Sequence, residues 1–137
     1  MLTDAGPLVA LLDRTDPAHT ACADVLRGLQ TRMVTTWPAF TEAMYLVRAR
    51  HRRAGWRAQE LLWRIVIRGE LELAPLDEPA LRRARDLMKK YRDLPMDLAD
   101  ATLVAVAEAR GMSRVFTLDS DFRVYRIGGR RPLEVVP

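Results

Sequence analysis

Apolar positions recur along the chain with two periods, and the switches between them mark its elements. Met1-Leu-Thr3 is a strand stub that stops at Asp4, and a helical turn follows from Pro7 to about Leu12. Asp16-Pro17 has the form of an N-cap with proline at the first helical position. Ala18, Ala21, Cys22, Val25 and Leu29 carry that second helix at spacings of three and four. Met33-Val-Thr35 is a short strand, Thr36 a cap, and Phe40, Ala43, Met44 and Val47 the stripe of a third helix with Pro38 in its first turn. Gly55 divides it from a fourth helix bearing Trp56, Leu62, Trp63, Val66 and Ile67. Leu71-Glu-Leu73 alternates as a half-buried strand does, and Asp77 with Pro79 opens a fifth helix on Leu81, Ala84, Met88 and Tyr91.

The sixth helix, Met96 to Arg110, is apolar nearly all round from Leu98 to Ala107, which predicts a buried helix, and Gly111 suits its C-terminal cap. Arg114-Val-Phe-Thr-Leu118 and Leu133-Glu-Val-Val136 are the last strands. Short strands separated by helices predict an α/β fold with a mainly parallel sheet, whose ligands sit at the carboxyl ends of the strands.

Composition narrows the class. At 137 residues, 49% hydrophobic and 29% charged, the chain fits one domain over 1–137 and excludes a disordered tail or a fibre. The single Cys22 excludes an internal disulfide and a multi-cysteine zinc site. No apolar run reaches the ~18 residues of a membrane span, and the Pro7–Leu12 run follows an aspartate where a signal peptide needs basic residues. A soluble cytoplasmic protein without a membrane partner is therefore expected. The net charge is +4, carried by 20 Arg against 2 Lys, which suits phosphate or carboxylate partners and equally follows from GC-rich coding.

The acids change the picture most. Asp4 ends the first strand, Glu42 lies early in the helix after the second, Asp100 lies in the first turns of the buried helix, and Asp119 and Asp121 follow the next strand. Taken singly each has an ordinary reading: a strand-end turn for Asp4, a solvated helix residue for Glu42, an Asx turn for Asp119 and Asp121. Asp97, three residues from Asp100, reads as a helix cap. A lone carboxylate at Asp100 is expensive to bury. Brought to one sheet edge, several carboxylates repel unless protonated or bridged by a cation, and oxygen donors suit Mg²⁺ or Mn²⁺ better than zinc.

Four segments in this order, Leu2-Thr-Asp-Ala-Gly-Pro-Leu-Val-Ala-Leu-Leu-Asp13, Thr36-Trp-Pro-Ala-Phe-Thr-Glu-Ala43, Met96-Asp-Leu-Ala-Asp-Ala-Thr-Leu-Val-Ala105 and Val115-Phe-Thr-Leu-Asp-Ser-Asp-Phe122, resemble the PIN-domain ribonucleases, in particular the VapC-like toxins of VapBC toxin–antitoxin pairs. The resemblance implies a three-layer α/β/α PIN-like domain and a Mg²⁺- or Mn²⁺-dependent endoribonuclease that cuts RNA with water and not with the RNA 2′-hydroxyl. It implies a catalytic set of Asp4, Glu42, Asp100 and Asp119, with Asp4 and Asp100 as metal ligands, a small cognate antitoxin as partner, and a homodimer. The late segment is one residue shorter than in some relatives between its first acid and the Asp-Phe pair, which leaves Asp119 and Asp121 both open as the fourth acid.

Other features carry less. Arg48, Arg50, His51, Arg52, Arg53 and Arg57 crowd the end of the third helix, as a solvated end complementing the dipole or as a contact to RNA or an acidic antitoxin segment. His19 and His51 have no partner at metal-ligand spacing, Ser113 lacks a nucleophile-elbow context, and no Walker loop is present. Thr117 is placed to orient a water or to pair in a turn. Trp37, Trp56 and Trp63 read as core, with a dimer or antitoxin interface as the alternative. A phosphoacceptor receiver domain needs a lysine after a late strand, and Lys89 and Lys90 lie inside a helix; a haloacid-dehalogenase phosphatase needs a second acid at position 6, which is glycine. A non-catalytic binding module on the PIN fold is the remaining alternative.

Overall fold

In the computed structural model, which describes residues 1–50, 55–94 and 96–137, seven strands occur among the described residues. They are β1 (Leu2–Thr3), β2 (Met33–Thr36), β3 (Leu71–Ala74), β4 (Arg114–Phe116), β5 (Arg126–Ile127), β6 (Arg131–Pro132) and β7 (Glu134–Val136). The helices are α1 (Ala5–Leu12), α2 (His19–Arg27), α3 (Trp37–Arg50), α4 (Gly55–Ile67), α5 (Glu78–Lys90) and α6 (Leu98–Arg110), with a 3₁₀ turn over Ser120–Arg123. Five strands form one all-parallel sheet in the order β3-β2-β1-β4-β7, and β5 and β6 pair as a separate antiparallel hairpin.

Strand alternation sends successive side chains to opposite faces, and that decides where the helices pack. Leu2, Val34, Ala74 and Val115 face α5, α6 and the hairpin, in a core with Leu103, Phe122, Tyr125 and Ile127. Met33 and Leu71 face α1, α3 and α4, while Met1 and Phe116 pack with Ala10 and Cys22 of α1 and α2. The result is the expected three-layer α/β/α arrangement around a parallel sheet. α6 is buried from Ala99 through Ala107, as its all-round apolar composition predicts, and Gly111 caps it at φ +65°.

Several local expectations are corrected. Asp16 does not cap α2: its Oδ1 accepts from Ala18 N (2.9 Å) and its carbonyl from His19 N (2.9 Å), so Asp16-Pro17 makes a turn and the helix starts at His19. Thr36 stays in β2, and its hydroxyl pairs with that of Thr102 (2.8 Å), tying the strand end to α6 instead of capping α3. β4 stops at Phe116 because Thr117 turns into the acidic loop. Trp37 and Trp56 are not core: they are 50% and 67% exposed, and only Trp63 is partly buried against the core. The hairpin had no counterpart among the expected elements. His51, Arg52 and Arg53 lie outside the described residues; of the rest of that basic cluster, Arg50 pairs with Asp16, and Arg48 and Arg57 are exposed.

Candidate active site

The sheet order reverses at β1: the chain winds outward through β2 and β3 on one side, then returns through β4 and β7 on the other. At such a reversal in an open α/β sheet, the loops leaving neighbouring strands part and form the crevice where ligands bind, at the strands' carboxyl ends. Asp4 and Thr117 are the first residues past β1 and β4. The Asp4 amide donates to the Phe116 carbonyl (2.9 Å), which holds the two strand ends together at that point.

Asp4 also caps α1. Its Oδ1 accepts from Ala5 N (2.6 Å) and its Oδ2 from the Thr117 hydroxyl (2.7 Å). The residue is only 8% exposed. Burial raises its pKa; the bonds from Thr117 and Ala5 oppose that, and the Asp119 and Asp97 charges add to the rise. Thr117 is a two-way bracket, since its Oγ1 also accepts from Asp119 N (3.0 Å). Asp119 in turn accepts from Asp121 N through Oδ1 (2.8 Å), so the late acids do form an Asx-type turn.

Asp100, in the first turn of α6, lies within the field of Asp4 and Asp119 at this edge. Asp97 caps that helix by accepting from Asp100 N (2.9 Å), as expected of it. Asp100 is also 8% exposed, and its Oδ2 accepts from the Tyr125 hydroxyl (2.9 Å). Burial, foremost, and then the charge of Asp97 push its pKa up to about 7; Tyr125 opposes the rise, and Asp4 and Asp119 add to it. Burial and the Asp100 charge drive the Tyr125 phenol upward, so it stays protonated and remains a donor. Glu42, half-buried on α3, is raised by burial and then by the charges of Asp4, Asp97 and Asp119. It shares with Asp97 an open hollow of about 710 Å³ that includes Trp37, Tyr45 and Leu98.

The charges of Asp97 and Asp119 thus act on Asp4, Glu42 and Asp100 alike, and both Asp119 and Asp121 act on Tyr125. Among the described residues no three carboxylate, imidazole or thiol side chains already form a closed metal-binding group. The donor chemistry nonetheless fits a hard divalent cation. The set is all oxygen, two of its members are buried, and among the described residues no Lys or Arg forms an ion pair with either of those two. Sequence reasoning missed Tyr125. Its one signal is its place three residues after Phe122, at the end of the acidic turn, which marks a buried pair of rings.

Comparison with known proteins adds to this geometry. The PIN domain profile matches residues 1–128. Ribonuclease VapC26 of Mycobacterium tuberculosis is 30% identical over 139 residues, covering 100% of each chain. Among solved structures, the Mycobacterium tuberculosis VapC20 toxin, described as cleaving the Sarcin-Ricin loop, superposes with a TM-score of 0.82 at 20% identity, covering 96% of this chain and 98% of the other. The VapBC2 complex of Rickettsia felis bound to a promoter DNA fragment superposes at 0.68 with 14% identity, covering 99% and 98%. A toxin–antitoxin complex from Klebsiella pneumoniae gives 0.64 at 18% identity, covering 88% of both chains.

Proposed function

The chain belongs to the PIN-domain family, and from that membership we propose that it is a divalent-metal-dependent endoribonuclease, the toxin of a toxin–antitoxin pair acting in the cytoplasm. The observation that carries this reading is the pair of buried carboxylates, Asp4 and Asp100, where the sheet order reverses, each within the field of Asp119, with Glu42 in the field of Asp4. Asp4 and Asp100 would hold the Mg²⁺ or Mn²⁺, which when bound supplies Lewis acidity at the scissile phosphate and a more acidic water. Each protein group then has a task. Thr117 and the Ala5 amide fix the Asp4 carboxylate, the Tyr125 phenol fixes Asp100, and Glu42 and Asp119 add negative charge beside the site and orient water. Asp97 serves mainly as the cap of α6.

Two partners besides RNA fit the surface. An apolar groove of about 440 Å³ between α1, α2 and α4, lined by Leu8, Leu12, Leu26, Leu29 and Leu62, has the character that takes one face of an amphipathic antitoxin helix. The exposed face with Trp37, Tyr45 and Leu98 suits a homodimer, and light scattering of Trp37→Glu should then report a monomer. Among the described residues no helix is long and apolar enough to cross a membrane.

The test is cleavage of structured RNA by purified protein with Mg²⁺, Mn²⁺ or EDTA, beside Asp4→Asn and Asp100→Asn. Metal-dependent cutting that both substitutions abolish is expected. Cutting that survives EDTA or either substitution refutes the assignment. Metal binding without any cutting would favour the non-catalytic module instead.

A further inference from the structure

Asp4 and Asp100 are equally buried, yet their oxygens are used differently. Both Asp4 oxygens accept a hydrogen bond, one from Ala5 N and one from Thr117. Among the described residues, the one hydrogen bond to the Asp100 carboxylate comes from Tyr125, and it falls on Oδ2. We propose that Tyr125 is a positioning residue for the metal: by engaging Oδ2 it fixes the Asp100 carboxylate and reserves Oδ1 as the ligand oxygen. This rests on the reading of Asp100 as a metal ligand given above.

The seat of Tyr125 explains how a phenol can do this. Its ring is fully buried, 5.1 Å from the Tyr91 ring and 5.3 Å, edge-on, from Phe122. Tyr91 is itself pinned, since its hydroxyl accepts from Arg126 N (3.2 Å). A phenylalanine would satisfy the same packing, so the hydroxyl has a separate use. Its donor reaches the acid across 25 residues of sequence. The short segment from Asp119 to Tyr125 therefore delivers two things to the crevice: an acid at its start and the clamp on a second acid at its end. Without the clamp the carboxylate turns freely about its terminal torsion, and a cation must order it on binding. Loss of such a supporting hydrogen bond commonly weakens a metal site by about 10–100-fold.

The test uses Mn²⁺ and calorimetry on the metal-free full-length protein at pH 8, comparing wild type, Tyr125→Phe and Tyr91→Phe. Both variants remove one hydroxyl from the same tilted pair of rings, but only one hydroxyl touches Asp100. Tyr125→Phe should weaken Mn²⁺ binding by roughly tenfold or more at unchanged stoichiometry. Tyr91→Phe should stay within about twofold. The Mn²⁺ concentration giving half-maximal cleavage should rise by the same factor in Tyr125→Phe, with the KM for RNA unchanged at saturating metal. Equal loss in both variants, or none in Tyr125→Phe, overturns the proposal, as does a wild-type protein that binds no Mn²⁺. Tyr125-dependent Mn²⁺ binding by a protein that cuts no RNA would uphold the clamp and sink the ribonuclease reading alone.

Discussion

Replacing Asp100 by Asn should make the metal-free protein more stable while removing its activity. The wild-type carboxyl is displaced from 3.8 to about 7 by burial and by neighbouring acids. At 1.36 kcal/mol per pKa unit, keeping it ionised above pH 7 costs about 4 kcal/mol as an upper bound, and water entering the crevice reduces this to roughly 2. The sign follows from linkage. A folded state that holds a proton more tightly than the unfolded chain loses stability as pH rises from the unfolded pKa to the folded one, here between about 4 and 7. Asparagine keeps an acceptor for Tyr125 and never ionises. In EDTA at pH 8, thermal unfolding of Asp100→Asn should therefore occur roughly 5–10 °C above wild type. The advantage should shrink to under about half by pH 5. Mg²⁺ at a hundredfold its dissociation constant stabilises a binding protein by about 2.7 kcal/mol, so wild type should rise to meet or pass the variant, which should not respond. A variant less stable than wild type at pH 8, or a difference that does not change with pH, would refute the argument that the buried charge is the costly element.

Thr117→Val removes a hydroxyl that donates to Asp4 and accepts from Asp119 N, so it should cost about 2 kcal/mol in urea unfolding and lower cleavage at least tenfold, whereas Thr117→Ser should restore both; equal behaviour of the two variants would sink the bracket role. Glu108 receives both Arg83 nitrogens (2.5 and 2.9 Å) and Gly128 N (2.7 Å), tying α5 and the hairpin to the far end of α6. Glu108→Ala should cost about 1–2 kcal/mol and speed amide exchange at Gly128 without changing Mn²⁺ affinity. Leu26→Asp, in the apolar groove, should leave RNA cleavage intact and abolish neutralisation by the antitoxin in a mixing assay; unchanged neutralisation would place the antitoxin elsewhere.

The fold was readable wherever local chemistry and burial agree. The all-round apolar composition of α6, the caps Asp77, Asp97 and Gly111, and the strands around Val34, Leu73 and Val115 all follow from neighbours within a turn or two, whereas α5 buries Ala80, Ala84 and Leu87 and leaves Leu81 of its expected stripe 50% exposed. The failures share one cause. Thr36 has the composition of a cap, but a buried hydroxyl takes the partner that desolvation leaves it, and that partner is Thr102, 66 residues away. Asp16-Pro17 satisfies the rule for a helix start, yet Asp16 bonds within its own turn and faces Arg50 from α3. Trp37 and Trp56 have core composition and lie exposed because α3 and α4 cover the sheet with their other faces.

The candidate site divides along the same line. Asp4, Asp100 and Asp119 were visible because they sit just past a strand or in the first turn of a helix, positions that sequence marks, and Glu42 because it follows β2 early in α3. That Asp4 and Asp119 come to the same sheet edge depends on the sheet order, in which β1 lies between β2 and β4. Tyr125 was not visible, since its role exists only once a buried phenol and a buried carboxylate meet across 25 residues. A catalytic group that must be charged has to be repeated in the local pattern of acids and caps. Its support needs only one donor in reach, which any buried residue that the fold brings close can supply. Search by sequence will therefore find the acids of such a site more readily than the hydroxyls that aim them. Here the Thr117 and Tyr125 variants are the sharper probes, because they leave the charge in place and remove only its orientation.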